Sequence, residues 1–401
     1  MYQLTGKAQH YAWGGSEFIP QLLGIENTSR QPYAEYWMGT HANGPSVVEY
    51  NKDRRVVLPE LIRENPAELL GKEVAARFGT LPYLFKVLDV KDMLSIQVHP
   101  TKTEAEIGFA RENESGIPLN APHRNYKDDN HKPEVMVALS EFWLLHGFKE
   151  KELLHRTLQE TEELRSLSPV FEQEGYYGLY KQVMEMPGSM VDSMLKPLLQ
   201  KEEPLYKSGQ LSKSSPAYWA CKAVASGSSS YNNIDRGIFS IYFFNIVHLH
   251  PGQAIFQGAG VPHAYLEGQN IELMANSDNV LRGGLTPKHI DVPELLKHTL
   301  FEGIAPKIMN GEKNGPETIY HCPVPDFEVS KIAIDKQSDY HHTAFSAEIL
   351  LLTEGEAAIT CETHRIHLKK GRSVLIKAAE TYHIQADTGA VLYKAAVPEA
   401  R

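Results

Sequence analysis

The chain has 401 residues, of which 42% are hydrophobic and 22% are charged, a composition typical of globular proteins. Its length predicts two or three domains, because a single hydrophobic core rarely serves so many residues. The 50 acidic and 40 basic residues give a net charge of −10, which argues against nonspecific nucleic-acid binding. An anionic ligand would therefore have to meet a local cluster of Lys and Arg.

Cysteine content and apolar runs indicate the cellular setting. The three cysteines, Cys221, Cys322 and Cys361, are far apart and odd in number, which favours a reducing compartment over a disulfide framework. No apolar run approaches the roughly 20 residues of a membrane span, and residues 1–7 lack the pattern of a signal peptide. We therefore expect a cytoplasmic protein with neither a membrane nor a nucleic-acid partner.

The first part of the chain alternates predicted strands and helices. Residues 6–15 and 34–41 have strand character, whereas residues 58–70 have the apolar spacing of helices. Residues 81–90 form a dense apolar run that contains Lys86. A lysine in such a strand must be paired, point into a pocket or reach solvent at an edge, and the sequence favours none of these.

The next predicted strand stops at a proline and carries polar residues at alternate positions: Ser95, Gln97 and His99. Residues two apart on a strand point to the same face, so these three side chains project together. An amide and an imidazole that project into the same space are plausible as two of the ligands of a metal site. The alternative is a polar strand face with a hydrogen-bonded histidine.

A short helix at 101–111 and a long polar loop at 113–130 follow. Strand character resumes at 134–139, which places Glu134 where the loop enters a buried strand, a natural position for a ligand. Residues 150–235 are rich in helix formers at helical spacing and then in Ser and Ala, and we predict a helical insertion there.

Strand character returns at 237–252, and a glycine-rich turn then leads to His263. Residues 252–263 and 371–383 resemble each other, since each contains, in this order, a glycine, a predicted strand, a turn of small residues and a histidine. The pattern is similar to the second motif of the cupin double-stranded β-helix. The C-terminal copy offers at most three candidate metal ligands, which are His342, Glu348 and His383. We therefore expect it to be a jelly-roll without a catalytic or metal-binding role.

Four candidate metal ligands follow from these local patterns: Gln97, His99, Glu134 and His263. In a double-stranded β-helix such positions converge inside the mouth of the barrel. Two imidazoles, a carboxylate and an amide oxygen suit Zn²⁺, and less selectively Mn²⁺, Fe²⁺ or Co²⁺. His248 and His250 also share a strand face, and we interpret that pair as an exterior or interface face.

A family resemblance emerges from motifs that occur in order over about residues 1–300. Together they resemble the type I mannose-6-phosphate isomerase (phosphomannose isomerase) family of the cupin superfamily. The matching segments are residues 11–14, 34–41, 81–88, 94–100, 130–134, 262–265 and 272–288. One departure is Tyr83, which stands where the family more usually has Phe.

The resemblance implies a mainly β fold with a cupin (jelly-roll) catalytic domain, a helical insertion and a second, C-terminal jelly-roll. We expect the catalytic domain at 1–149 and 236–317, the insertion at 150–235 and the jelly-roll at 318–401. The resemblance also implies one zinc ion on the four candidate ligands and an active-site arginine, Arg282. The implied substrate pocket contains Trp13, Lys86, Ser95, Lys132, Glu272, Asp278 and Lys288.

The implied reaction interconverts mannose 6-phosphate and fructose 6-phosphate through a cis-enediol. A divalent metal and Arg282 would stabilise charge on the sugar oxygens, and Lys86, Lys288 and Arg282 would meet the phosphate. The general base stays open between Glu272, Asp278, Lys132 and a zinc-bound water. We expect a monomer or weak homo-oligomer whose partner is the sugar phosphate.

Three alternative functions are compatible with a cupin fold. One is an isomerase for another sugar phosphate such as glucose 6-phosphate, and another is a catalytically silent, sugar-binding regulatory protein. The third is a metal-dependent oxygenase, which would favour two histidines and one carboxylate without an added glutamine.

Overall fold

The computed structural model describes residues 1–51 and 54–399. Short strands and helices make up its first hundred residues, where Pro66 begins a separate helix after Asn65. In chain order they are β1 (Tyr2–Thr5), β2 (Lys7–Gln9), α1 (Phe18–Leu23), β3 (Glu35–Gly39), β4 (Val47–Asn51), β5 (Arg54–Val57), α2 (Leu58–Glu64), α3 (Pro66–Leu70), α4 (Lys72–Phe78), β6 (Tyr83–Val90) and β7 (Ile96–Val98).

Helices dominate the middle of the chain. Thr101 begins the first of them with a capping box, in which its side chain accepts from the Glu104 amide and the Glu104 carboxylate accepts from the Thr101 amide. The elements are α5 (Lys102–Glu114), β8 (Glu134–Ala138), β9 (Phe142–Phe148), α6 (Lys151–Glu160), a 3-10 helix (Glu162–Leu167), α7 (Ser168–Glu185), α8 (Gly188–Lys207), α9 (Pro216–Ala225) and α10 (Gly237–Phe243).

Strands return after residue 243 and continue to the end of the described chain. With one helix among them, the elements are β10 (Phe244–Leu249), β11 (Ala254–Gln257), β12 (His263–Ala275), β13 (Leu281–Gly284), α11 (Val292–His298), β14 (Glu312–Asn314), β15 (Glu317–Tyr320), β16 (Glu328–Ile334), β17 (Tyr340–Thr343), β18 (Glu348–Cys361), β19 (Arg365–Lys369), β20 (Ser373–Ile376), β21 (Thr381–Gln385) and β22 (Ala390–Ala396). The mainly β architecture predicted from the sequence is confirmed.

One sheet, which we name the site sheet, is organised around β12. Its main path runs β10-β9-β12-β6-β3-β2, with β7, β8, β11 and β13 paired beside that path. The long strand β12 pairs with β6, β7, β8 and β9 in succession. His263, Glu272 and the strands that carry Gln97, Glu134 and Lys86 are therefore brought into one layer.

The other sheet, the C-terminal sheet, runs β14-β15-β16-β22-β18-β20-β1-β4-β5. Its last three strands come from the first 57 residues, since Tyr2 pairs with Leu375 and Gln3 pairs with Glu49. We expected residues 1–149 in the catalytic domain, and the structure places the strands β1, β4 and β5 of that range in the C-terminal sheet. The pairing of β1 with β20 joins residues more than 300 positions apart and leaves no local signal in the sequence.

Residues 237–252 also differ from the sequence prediction of a continuous strand. Residues 237–243 form α10, and only 244–249 form a strand. Every residue of α10 is buried, so its sequence shows no amphipathic spacing and reads as a strand. The Asp235 carboxylate accepts from the Gly237 amide at 2.7 Å and so satisfies one of the free amides at the start of this helix.

Three hydrophobic clusters connect these layers. One packs the helices of the middle segment against the outer face of the site sheet. Another fills the space between the two sheets, and a smaller one lies inside the barrel of the site sheet. No helix among the described residues combines the length and apolar character needed to cross a membrane.

Candidate metal centre and adjoining cavities

Three predicted metal ligands converge in the buried interior of the site sheet. The Nε2 atom of His99 lies 3.5 Å from Oε1 of Glu134, and the Nε2 atom of His263 lies 3.4 Å from Oε2 of the same carboxylate. The potential ligand atoms of all three residues lie within 4.8 Å of one another. Two imidazoles and a carboxylate at this spacing are a donor set that suits zinc.

Backbone carbonyls orient both imidazoles. Nδ1 of His99 donates to the Asn279 carbonyl and Nδ1 of His263 donates to the Val261 carbonyl, both at 2.9 Å. A carbonyl can only accept, so each neutral ring carries its proton on Nδ1 and presents the Nε2 lone pair to Glu134. The buried Nε2 of His99 has no hydrogen-bond partner among the described residues. This orphaned lone pair fits a metal ligand.

The charge state of the centre also favours a cation. Burial, with the Lys132 ammonium beside it, lowers the pKa of His99 to about 4, so the ring is neutral near pH 7. Burial alone would raise the pKa of Glu134, but Lys132 and His99 outweigh it and hold that pKa well below its usual range. Nζ of Lys132 lies 2.9 Å from Oε1 of Glu134. The carboxylate is therefore ionised.

Gln97 lies between this centre and the predicted arginine. In the sheet it pairs with His263 of β12 on one side and with Arg282 of β13 on the other. Its side chain lines a small inner cavity of about 60 Å³ together with Glu134 and His263. The structure thus brings the fourth predicted ligand to the same cavity as Glu134 and His263.

Lys86 is paired within the inner cavity. Its ammonium lies 2.9 Å from Oε2 of Glu272 and 3.5 Å from Oε2 of Glu35, and all three side chains are buried. Burial lowers the pKa of Lys86, but Glu272 and Glu35 more than offset it and raise that pKa. Of the three possibilities for Lys86, the structure shows pairing at a pocket wall.

Glu35 and Tyr265 also line the inner cavity, and sequence reasoning did not single them out. A glutamate inside the apolar strand β3 was the available signal for Glu35. Tyr265 carried none, because the side of β12 that faces the cavity is fixed only by the sheet register.

An outer cavity of about 590 Å³ adjoins the inner one and shares Glu35, Ser95 and Gln97 with it. Arg282 and Lys288 line its wall, and Trp13 lies there too. Burial, together with the nearby guanidinium of Arg282, lowers the pKa of Lys288. Neither cation has a carboxylate within salt-bridge distance among residues 1–51 and 54–399. Two neighbouring cations without an anion make this wall suited to an anionic ligand.

Asp278 lies apart from the other predicted pocket residues. It is exposed, and its carboxylate lies 3.1 Å from Nε2 of His41. Neither cavity includes Asp278 in its lining. The Asp278 amide donates to Asp128 at 2.8 Å, so the residue stabilises the turn that precedes Arg282.

The two other histidine groups in the sequence lie outside these cavities. Glu348 accepts from Tyr382 and is paired with His342, whereas His383 lies 3.2 Å from Asp339, so the three C-terminal candidates do not converge. His248 and His250 lie on β10 and just beyond its end, on the exposed side of the site sheet.

Comparison with known proteins identifies the family. A model of the catalytic domain of type I phosphomannose isomerase matches residues 1–151. The mannose-6-phosphate isomerase of Salmonella typhimurium is 40% identical, and the alignment covers 97% of this chain and 98% of that relative. The chain belongs to the type I phosphomannose isomerase family. Human mannose-6-phosphate isomerase is 34% identical, with 96% and 95% coverage.

Solved structures of phosphomannose isomerases have the same fold. One, from Salmonella typhimurium, is described as bound to substrate fructose 6-phosphate and zinc, and it matches at a TM-score of 0.86 with 37% identity. The alignment covers 98% of both chains. Another, described as bound with zinc and yttrium, matches at the same TM-score and identity. The predicted family, cupin-type fold and isomerase class are therefore confirmed.

Proposed function

We propose that this phosphomannose isomerase family member is a zinc-dependent aldose–ketose isomerase that interconverts D-mannose 6-phosphate and D-fructose 6-phosphate through a cis-enediol. One observation carries the proposal: the His99–Glu134–His263 cluster adjoins, through Gln97, an outer cavity lined by Arg282 and Lys288. Neither of these cations has an acidic partner among the residues that the structure describes. A metal centre beside an anion-binding wall is what a sugar-phosphate isomerase needs. The relatives named above support the choice of sugar.

Zinc would be held by His99, Glu134 and His263, with Gln97 as the fourth ligand. When bound, it would supply Lewis-acid stabilisation of negative charge that develops on the sugar oxygens. Lys132 contributes by holding Glu134 in its ionised form. The two backbone-bonded imidazoles need no rearrangement to serve as ligands.

The phosphate is assigned to the outer cavity. Arg282 offers a planar fork of donors and Lys288 a point charge, and both suit a phosphate dianion. Lys86 has no free charge to offer, because Glu272 and Glu35 already neutralise it. We therefore assign Lys86 to ordering Glu272 rather than to the phosphate. Trp13 and Ser95 also line the outer cavity, and Ser95 lines the inner cavity as well.

Glu272 is the group to which we assign proton transfer between C2 and C1. It lines the inner cavity, and burial raises its pKa against the opposing effect of Lys86, which makes it a stronger base than an exposed carboxylate. Lys132 is engaged with Glu134, and Asp278 is exposed and paired with His41. Glu272 would take the C2 proton of the open-chain aldose and return it at C1, while the O2 hydroxyl proton passes to O1 in the cis-enediol.

A coupled assay before and after chelation tests the function. The purified protein should convert mannose 6-phosphate and fructose 6-phosphate into each other, lose turnover on chelation and regain it with zinc. Glu134→Gln should lose zinc and turnover together, whereas Glu141→Gln, on the exposed side of the sheet, should keep the zinc of the catalytic centre. Chelator-resistant turnover, or equal turnover of glucose 6-phosphate, would contradict the proposal.

The role of Glu272 has its own test. Glu272→Gln should retain zinc but lose both turnover and exchange of the C2 hydrogen with deuterated solvent. If that variant still exchanges the C2 hydrogen at the normal rate, another group transfers the proton.

A further inference from the structure

A second cluster of metal-ligating side chains lies on the opposite face of the site sheet. His248 lies on β10 and His250 follows directly after its end, and the two rings contact each other with centroids 4.7 Å apart. Glu141, at the turn before β9, completes the cluster. Nε2 of His248 lies 2.5 Å from its carboxylate, and Nδ1 of His250 lies 3.0 Å from it. The potential ligand atoms of all three lie within 4.8 Å of one another.

The cluster is held in place on one side and open on the other. The His248 ring stacks on Trp143 of β9, with centroids 4.1 Å apart and planes inclined by 6°. Trp143 packs against the helical core, so one imidazole is fixed before any ion binds. The side chains of His250 and Glu141 are 63% and 56% exposed. Since β10 is the edge of the sheet, water can complete the coordination of an ion there.

The position separates this cluster from the catalytic centre. Trp143 and His146 both belong to β9, and His146 is the residue that pairs with His263. Three residues along a strand span about 10 Å and end on the opposite face. Phe142 and Leu144 point into the barrel interior, whereas Trp143 faces the helices.

We propose that Glu141, His248 and His250 form a second, surface site for a divalent transition-metal ion. Two imidazoles and one carboxylate, with the remaining coordination positions open to water, suit Zn²⁺. The same donor set also suits Ni²⁺ and Cu²⁺. In the absence of an ion the carboxylate pairs with the two rings. Hydrogen bonds from His250 and His248 lower the pKa of Glu141, so it is ready as an anionic ligand near pH 7.

Zinc stoichiometry tests the site independently of the isomerase activity. Equilibrium dialysis of the zinc-loaded enzyme against free Zn²⁺ should add one further ion per chain. The double variant His248→Ala/His250→Ala should bind no such additional ion while keeping full isomerase turnover. A matched control removes the pair His341 and His383, whose rings stack at 3.9 Å in the C-terminal sheet, and should leave the additional ion in place.

Fluorescence locates the ion. Cu²⁺ should quench Trp143 in a saturable manner in the wild-type enzyme and not in the His248/His250 double variant. Trp143→Phe should lose that quenching and still take up the additional zinc. The proposal is overturned if the wild-type enzyme takes up no additional zinc or if the double variant keeps it. Loss of the additional ion in the His341/His383 variant would equally overturn it, by placing the ion in the C-terminal sheet.

Discussion

The imidazoles of the metal centre illustrate how single residues are prepared for their role. The Nδ1–H groups of His99 and His263 each donate a hydrogen bond to a backbone carbonyl, so the Nε2 atom of each ring is left for a metal. This arrangement leaves one buried polar atom, the Nε2 of His99, without a hydrogen-bond partner in the described part of the chain, which costs free energy of folding. Metal binding should therefore stabilise the fold as well as serve the reaction.

Replacement of Arg282 should separate zinc binding from catalysis most clearly. Arg282→Ala removes a guanidinium that lines the outer cavity without being among the clustered metal-ligating residues. We expect kcat/KM to fall by at least about 100-fold, in the range found for loss of one charge-stabilising donor. Zinc content, measured on the same preparation, should be unchanged.

Arg282→Lys is the matched control for this prediction, because it keeps the charge and loses the fork of donors. It should recover only a small part of the activity. Near-normal turnover of the alanine variant, or loss of zinc from it, would contradict the assigned role.

Buried histidines make the metal-free protein sensitive to acid. Burial lowers the pKa values of His99 and His146 to about 4 each, against 6.5 for an exposed ring. The unfolded chain binds these protons as pH falls below about 6.5, whereas the folded protein excludes them until about pH 4. Stability should therefore fall across this window, by on the order of 3 kcal/mol per ring.

Denaturant unfolding of the metal-free protein at several pH values measures this loss. His146→Gln removes one titrating ring and replaces it with an amide that can still donate to Gln257, the present partner of Nδ1 at 2.7 Å. That variant should lose less stability between pH 6.5 and pH 4 than the wild type. An unchanged slope would show that His146 is not held neutral.

At the residue scale, the sequence predicted those side chains whose position is set by local pattern. His99 and Glu134 lie at strand ends next to a proline and a polar loop, and His263 follows a glycine-rich turn. Glu35 and Tyr265 reach the same cavity, yet their inward direction depends on the register between β3, β6 and β12. That register is a tertiary property, so a single sequence could not show it.

At the scale of elements, the Asp235 carboxylate anchors the segment that joins β13 to α11. Asp235 accepts from three backbone amides: Oδ1 from Gly237 at 2.7 Å and Leu285 at 2.8 Å, and Oδ2 from Thr286 at 3.1 Å. Leu285 has a φ of 55°, an unfavourable value for a side chain of this type. One carboxylate therefore anchors the turn between the two cations of the outer cavity.

Asp235→Ala should loosen this turn and weaken substrate binding. Loss of the three bonds leaves amides without a partner, at a cost of about 1–3 kcal/mol, so we expect KM to rise roughly tenfold. Zinc content should be unchanged. Asp235→Asn keeps one accepting oxygen and should show a smaller rise in KM. If KM stays normal in the alanine variant, Asp235 does not position the cations.

Elements with a clear period or cap could be predicted from the sequence, and uniformly buried ones could not. The helices in 58–70 and the helix after Thr101 were predicted within a few residues of their bounds. The prediction of a strand over residues 237–243, where the structure has α10, was wrong. A segment buried on all sides is apolar throughout and has neither a helical nor a strand period.

At the scale of the whole molecule, Tyr83 connects the two sheets. It belongs to β6 of the site sheet, is fully buried, and its hydroxyl lies 3.0 Å from the carbonyls of both Ala347 and Ala395. These carbonyls belong to the C-terminal sheet and the segment that leads into it. Tyr83, which stands where the family more usually has Phe, thus adds a hydrogen bond between the two sheets.

Tyr83→Phe should lower the free energy of unfolding by about 1–2 kcal/mol, because a buried hydrogen bond between the sheets is lost and the carbonyls lose their donor. Isomerase turnover below the unfolding temperature should be unchanged. Thermal unfolding and a coupled assay measure the two effects. Tyr320→Phe removes a different buried hydroxyl, whose partner is the Gly252 carbonyl, and serves as the comparison. Wild-type stability for Tyr83→Phe would show that the hydroxyl makes no net contribution.

Domain boundaries were the least predictable property at this scale. The division at about residue 318 follows the change to short strands, but β1, β4 and β5 join the C-terminal sheet from the other end of the chain. Neighbouring residues carry no information about partners hundreds of positions away. The division into a catalytic domain, an insertion and a jelly-roll stays a prediction.

The pairing of β1 with β20 bears on how the protein is made. A ribosome synthesises Tyr2 long before Leu375, its partner in the sheet. Throughout translation, β1, β4 and β5 present a sheet edge that has no native neighbour, the kind of surface that associates with other chains. A nascent chain stalled before residue 373 should therefore bind holdase chaperones through its first 57 residues. Release should follow once β20 emerges from the exit tunnel.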